Sequence, residues 1–349
     1  MAAKLRFREF AQAAAGEQGA GGLLPVVEKE LLHYEILRAM AQTGALGRLV
    51  FQGGTALRLC YGAERYSENL DFAGGAGFNP AELAGLPAAI AATIRSRYDV
   101  EVAVHEPKTA RGANGPRVDS WQIQVATAPG RPDLPRQRVK VEVANVPAHT
   151  SAIRPMAVNH RGLPASYQRT LLAVEEPEEI LADKLVAFAA AGHIRHRDLW
   201  DIPWLRSLPR FDAAAAAAMV ARKAADYGID DFPSLAAKRL TELPAVIRGK
   251  AHAAQMRRFL PAATRAATID DPRFLDNTIR VLTDLYQAST ELAPADPPIN
   301  TTGAGDKDAA KRSAGSPPVA ETVHAATRPH PDPASDPVAP RPNARPPAP

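Results

Sequence analysis

Apolar residues alternate with polar ones in three stretches of the chain: Val100, Val102 and Val104; Trp121, Ile123 and Val125; and Val139, Val141 and Val143. A spacing of two puts each set on one face of a strand and the intervening side chains on the other. Leu49-Val50-Phe51 is a shorter apolar run that leads into Gly53-Gly54, and it predicts a further strand. Helical spacing governs the segments between. Pro25 opens one that carries Val26, Val27, Leu31, Ile36, Leu37 and Met40, and Gly44 and Gly47 end it. A second helix is expected over 80–97. From Glu178 to Ala288 the pattern is helical, with Leu181, Leu185 and Phe188 on one face and a later stripe of Leu275, Ile279, Leu282 and Tyr286. The chain therefore predicts a mixed α/β domain over 25–150, after an N-terminal extension over 1–24, and then a helical domain over 151–292. The cleft between the two domains is the default site.

Composition changes this picture at one end. Beyond residue 293 the chain holds 14 of its 32 prolines and no aromatic residue. Such a segment cannot bury enough apolar surface to offset the entropy of ordering it, so 293–349 is expected to be a disordered tail. The net charge of +4 is too small to argue for nucleic acid by itself. A single cysteine, Cys60, excludes an intramolecular disulfide and a cysteine metal cluster. No secretory leader and no run long enough to span a membrane is visible, and the expected location is the cytoplasm.

The candidate chemistry begins at Gly53-Gly54-Thr55, where a strand turns into a helix. Glycines permit a tight turn and the close approach of a phosphate, and a helix N-terminus offers free N–H groups. Thr55 adds a hydroxyl. A structural turn explains most isolated Gly-Gly-Thr tripeptides, and without Gly-Lys-Ser/Thr this is not a Walker loop. The next segment, Arg65-Tyr66-Ser67-Glu68-Asn69-Leu70-Asp71-Phe72, raises its value. Ser67, Asn69 and Asp71 share a strand face, and an acid pair at that spacing holds Mg²⁺ in phosphoryl transfer. Glu142, in Val139-Lys140-Val141-Glu142-Val143, is a third candidate acid; a solvent-facing role has an equal claim from alternation alone. Lys184 interrupts an apolar helical pattern, where a fixed cation would offset phosphate charge, although a solvated helix face explains an isolated lysine as well. Arg58, Arg65, Arg195 and Arg197 are candidates for a basic rim, with surface solvation as the plain alternative. His193 and His196, at i and i+3, lack a third ligand and rank zinc below Mg²⁺.

Taken together, Gly-Gly-Thr-Ala-Leu-Arg-Leu, Tyr61-Gly62 and Arg65 to Phe72 closely resemble the AbiEii/AbiGii nucleotidyltransferase toxins of abortive-infection and toxin–antitoxin systems. The resemblance spans roughly residues 25–290 and implies an α+β, polymerase-β-like nucleotidyltransferase domain followed by a helical domain. It implies that Gly53, Gly54 and Thr55 form the triphosphate loop. By the same resemblance Asp71 is the second acid of an Asp-x-Asp pair and Glu142 the third acid. Arg65 and Ser67 lie in the matched motif and are expected to contact the nucleotide. A lysine in a Leu-Ala-x-Lys-Leu context and a later basic-Asp-x-x-Asp add Lys184 and Asp198, with Asp201, one turn on, holding the helix.

The resemblance implies Mg²⁺ and an NTP as co-substrate, transfer of NMP to the 3′ end of tRNA or to a protein, and a separately encoded antitoxin. The chain departs from the family pattern at Asn69, where the family commonly has aspartate. An amide oxygen still ligates Mg²⁺ but brings no charge. The alternative reading is therefore a catalytically silenced nucleotide-binding or interaction protein that retains the fold.

Overall fold

In the computed structural model, residues 4–107, 116–131 and 133–291 are described. The segment expected to form the tail, 293–349, lies outside them. The helices are α1 (Phe7–Glu17), α2 (Leu24–Gln42), α3 (Gly53–Tyr61), α4 (Leu86–Arg97), α5 (Pro177–Ala190), α6 (His196–Arg206), α7 (Ala213–Asp226), α8 (Phe232–Ile247), α9 (Lys250–Met256), α10 (Ala262–Ala267) and α11 (Pro272–Glu291). The strands are β1 (Val50–Gln52), β2 (Leu70–Ala73), β3 (Glu101–His105), β4 (Val118–Ala126), β5 (Gln137–Ala144), β6 (Ala152–Pro155) and β7 (Leu171–Val174). They form one sheet in the order β3-β4-β5-β2-β1-β7-β6. The pairs β2–β5 and β1–β7 are parallel and the others antiparallel.

The three alternating stretches are strands, and their apolar sets face one core. Trp121, Ile123, Val125, Val139, Val141 and Val143 are buried there with residues of α1, α2 and α4. Burial of that apolar face is the main force that fixes the register, because a slip by one residue would turn each valine to solvent. The opposite face carries the polar set of β2, β4 and β5, including Asp71, Ser120, Lys140 and Glu142. The expected helix over 80–97 is two elements: a 3₁₀ turn at Pro80–Leu83, capped by Asn79 and Glu82, and then α4.

Segments before residue 24 and beyond residue 150 also build the sheet and its core. Residues 7–17 are a helix whose Phe7, Ala11, Ala14 and Ala15 are buried in the sheet's core. Phe7 meets Tyr98 edge to face at 4.9 Å. Beyond 150, β6 and β7 complete the sheet: Phe51 pairs with Val174, and Leu172 and Val174 are buried. A four-residue strand is too short for its alternation to stand out, so only pairing with β1 reveals it. The helical part begins at Pro177, with a second core built from residues such as Leu181, Leu185, Leu199, Leu282 and Tyr286. All described residues lie within one compact unit.

Candidate active site

The cleft of about 730 Å³ lies between the polar face of the sheet and α5 and α6. Its first wall is the turn from β1 into α3. Gln52 is extended, and Gly53 then takes φ +76° as the first residue of the helix. This left-handed conformation favours glycine. A Cβ on Gly53 would also lie 2.8 Å from Asp71 Oδ2, and one on Gly54 would meet the Arg65 guanidinium and Ser67 Oγ. The glycines are thus required because the following motif packs directly against them.

Strand pairing assembles the acids. Asp71 is opposite Gln52 on β1 and opposite Glu142 on β5. The Asn69 amide donates to Glu142 Oε2 at 3.3 Å, and Ser120 Oγ donates to Glu142 Oε1 at 3.4 Å. Lys140 Nζ lies 3.2 Å from the same oxygen. Burial, followed by the charge of Glu142, pushes Asp71 up to about 6, against the pull of Arg197, Lys184 and Arg195. Two carboxylates held side by side form a pair of hard oxygen donors, and the Asn69 amide beside them turns its NH₂ group to Glu142. The mutual repulsion of the carboxylates is what a divalent cation such as Mg²⁺ would relieve.

A second constellation comes from the helical part. Lys184 Nζ on α5 lies 2.8 Å from Asp198 Oδ1 and 2.6 Å from Asp201 Oδ2, both on α6. Arg65 holds Asp201 with two bonds of 2.7 Å, from Nε and Nη2, and its Nη1 donates to the Tyr66 carbonyl. Arg195 pairs with Asp198. Burial works to raise both aspartates, but their cations outweigh it. Lys184 and Arg195 hold Asp198 well below the usual carboxylate range, and Arg65 and Lys184 lower Asp201.

Gly53, Gly54, Arg65, Ser67, Asn69, Asp71, Glu142, Lys184 and Asp198 all border the one cleft. Thr55 does not. It is buried, and its hydroxyl donates to the Asn69 backbone carbonyl, tying the start of α3 to the acid segment. Arg65 borders the cleft; three of its five N–H groups go to Asp201 and the Tyr66 carbonyl, which holds the guanidinium in place. Glu68 leaves the acid face, as alternation requires, and pairs with Lys29 at 2.6 Å and Arg197 at 3.0 Å. Arg58, too, is no rim residue: it is buried and paired with Glu30. His193 borders the cleft while the ring of His196 lies 5.5 Å from that of His252. Among the described residues no group of three or more His, Cys, Asp or Glu side chains is placed to hold a metal. Sequence reasoning missed Ser120 and Lys140; the signal was their place on the polar face of strands that also carry Glu142.

A family model for the AbiEii nucleotidyl transferase toxins of type IV toxin–antitoxin systems matches residues 35–276, more than half of the chain. The chain belongs to the AbiEii family. It is a nucleotidyltransferase of the toxin class, with the mixed α+β architecture described above. Among solved structures it is similar to MenT4, a nucleotidyltransferase toxin from Mycobacterium tuberculosis, at 18% identity over 82% of this chain and 98% of that one, with a TM-score of 0.49. It is also similar to JHP933 from Helicobacter pylori, at 20% identity over 76% of this chain and 93% of that one, with a TM-score of 0.39. No curated protein matches it. Among the described residues, no helix of this AbiEii chain is long and apolar enough to cross a membrane.

Proposed function

We propose that this AbiEii chain is a Mg²⁺-dependent enzyme that moves NMP from an NTP to an acceptor hydroxyl, at the 3′ end of tRNA or on a protein. The acceptor oxygen attacks the α-phosphorus, the bond to the bridging oxygen breaks, and pyrophosphate leaves. The observation that carries the reading is the pairing of Asp71 with Glu142 on adjacent strands at the mouth of the Gly53 turn. Asp71 and Glu142 would hold the ion, joined by the Asn69 amide oxygen once the amide turns from its bond to Glu142. When bound, it supplies positive charge against the triphosphate and acidifies the acceptor hydroxyl. The N–H groups of Gly53 and Gly54 and the Ser67 hydroxyl hold phosphate oxygens. Glu142 accepts the proton of the acceptor hydroxyl. Lys184, held in place by Asp198 and Asp201, faces the negative charge on the leaving pyrophosphate. The protein acts in the cytoplasm in an abortive-infection or toxin–antitoxin setting, and a separately encoded antitoxin opposes it.

The test is label transfer. The full chain is given Mg²⁺, each α-labelled NTP in turn and total tRNA, beside an Asp71→Ala control. Label entering tRNA or protein only when Asp71 is present supports the reading and names the acceptor. A second reading, a nucleotide-binding protein without turnover, is favoured by Asn69, whose amide donates a hydrogen bond to Glu142 where an aspartate would add charge. It predicts NTP binding without label transfer, and gain of transfer or toxicity on Asn69→Asp.

A further inference from the structure

Resting on the reading of the cleft as an NTP site, we propose that the nucleoside half of the NTP is held by the wall that α5 forms beyond Lys184. Ala187 and Ala190 on α5, Ala191 at its C-cap and Ile229 after α7 take the faces of the sugar and base.

The two faces of α5 differ in side-chain size. Towards the helical core it carries Leu181, Leu185 and Phe188, all buried. Towards the cleft, beyond Lys184, it carries Ala187 and Ala190 with the buried Val186 at their edge, and Ala191 follows at its C-cap. Ala187 is one turn from Lys184 and Ala191 two, so at about 1.5 Å per residue they lie roughly 4.5 and 10 Å further along the axis. With Lys184 at the phosphates, those steps match the sugar and then the base of one nucleotide. Methyl side chains leave open the room that leucines would fill. Ile229, half-buried on the helical core, closes the same wall. The nearby charge is turned away: Asp183 Oδ2 lies 3.1 Å from the buried Lys223, which also holds Glu175 and Glu179. The wall therefore offers an apolar surface, suited to a base face that gains by leaving water, opposite a polar end suited to phosphate.

The closing experiment titrates the full chain, with Mg²⁺, by calorimetry against ATP, CTP, GTP, UTP and inorganic tripolyphosphate. The expected result is that at least one NTP binds about tenfold or more tighter than tripolyphosphate. Ala187→Leu and Ala190→Leu should each weaken that NTP by about tenfold or more while leaving tripolyphosphate within about twofold, because the added isobutyl group occupies the nucleoside space. Leucine keeps the helix, and Ala190 is exposed, so that variant leaves the core intact. The proposal is overturned if neither variant changes NTP affinity, if NTP and tripolyphosphate weaken together, or if wild type gains nothing from the nucleoside. Wild type that binds neither probe would instead sink the NTP-site reading beneath it.

Discussion

The two halves of the cleft handle charge in opposite ways. On the sheet, Asp71 and Glu142 are neighbours of like sign, and burial and repulsion raise Asp71 to about 6. On the helices, Lys184 is bracketed by Asp198 and Asp201, and Arg65 and Arg195 complete the pairing. A buried charge without a partner is costly, so a fold retains one mainly where a ligand supplies the partner. On the sheet half Lys140 pairs with Glu142, but among the described residues Asp71 has no ion pair, which leaves that half open to a cation. The helical half is complete in itself and holds Lys184 in one place. The comparison teaches that an acid's burial says less about its role than whether its counter-charge is already present.

The largest expected effect breaks the sheet half. Asp71→Ala should reduce label transfer by about 10³-fold or more, since it removes the central donor of the site. Its thermal midpoint, measured in chelator, should not fall, because the change also removes a disfavoured charge. A large loss of stability would make Asp71 structural and undo the contrast.

Lys184→Met attacks the other half and should act on stability first. It leaves Asp198 to Arg195 and Asp201 to Arg65 alone, and the two lost charged contacts should cost about 1.5–3 kcal/mol in denaturant unfolding. Adding Asp201→Asn should lower stability further, because it takes the carboxylate partner from the buried Arg65. Full stability in the single variant would mean that the pairing on the helices is not needed.

The helical part carries its own pH sensitivity. Burial, followed by the charge of His196, lowers His252 from 6.5 to about 4. A base whose folded value is depressed contributes stability above its unfolded value and loses it as pH falls. Stability should therefore drop by about 2 kcal/mol between pH 7.5 and 5, and His252→Leu should flatten that part of the profile. Denaturant midpoints across this range, for wild type and variant, give the comparison.

The smallest effect sharpens the boundary between site and scaffold. Thr55→Val should cost about 1 kcal/mol through the lost bond to the Asn69 carbonyl and change NTP affinity less than about twofold. A marked loss of NTP affinity at unchanged stability would restore Thr55 to the phosphate loop.

Much of this molecule is written in local patterns. Period-two valines define β3, β4 and β5, and helical stripes define α2, α5 and α11, because side-chain direction follows from backbone period alone. The position of Asp71 behind two glycines was legible for the same reason. Strands β6 and β7 were not, since four residues hold too little alternation and only a seat beside β1 makes them strands. The roles of charged side chains were least legible of all. Thr55 looks like a nucleotide contact within the motif, yet a backbone carbonyl takes its hydroxyl, and nothing near Arg65 in the chain announces its bond to Asp201, 136 residues away. The sequence by itself determined which candidate residues share a strand or helix face. Only the tertiary structure decided which charges meet, because pairing energy depends on distance and burial between residues far apart in the chain.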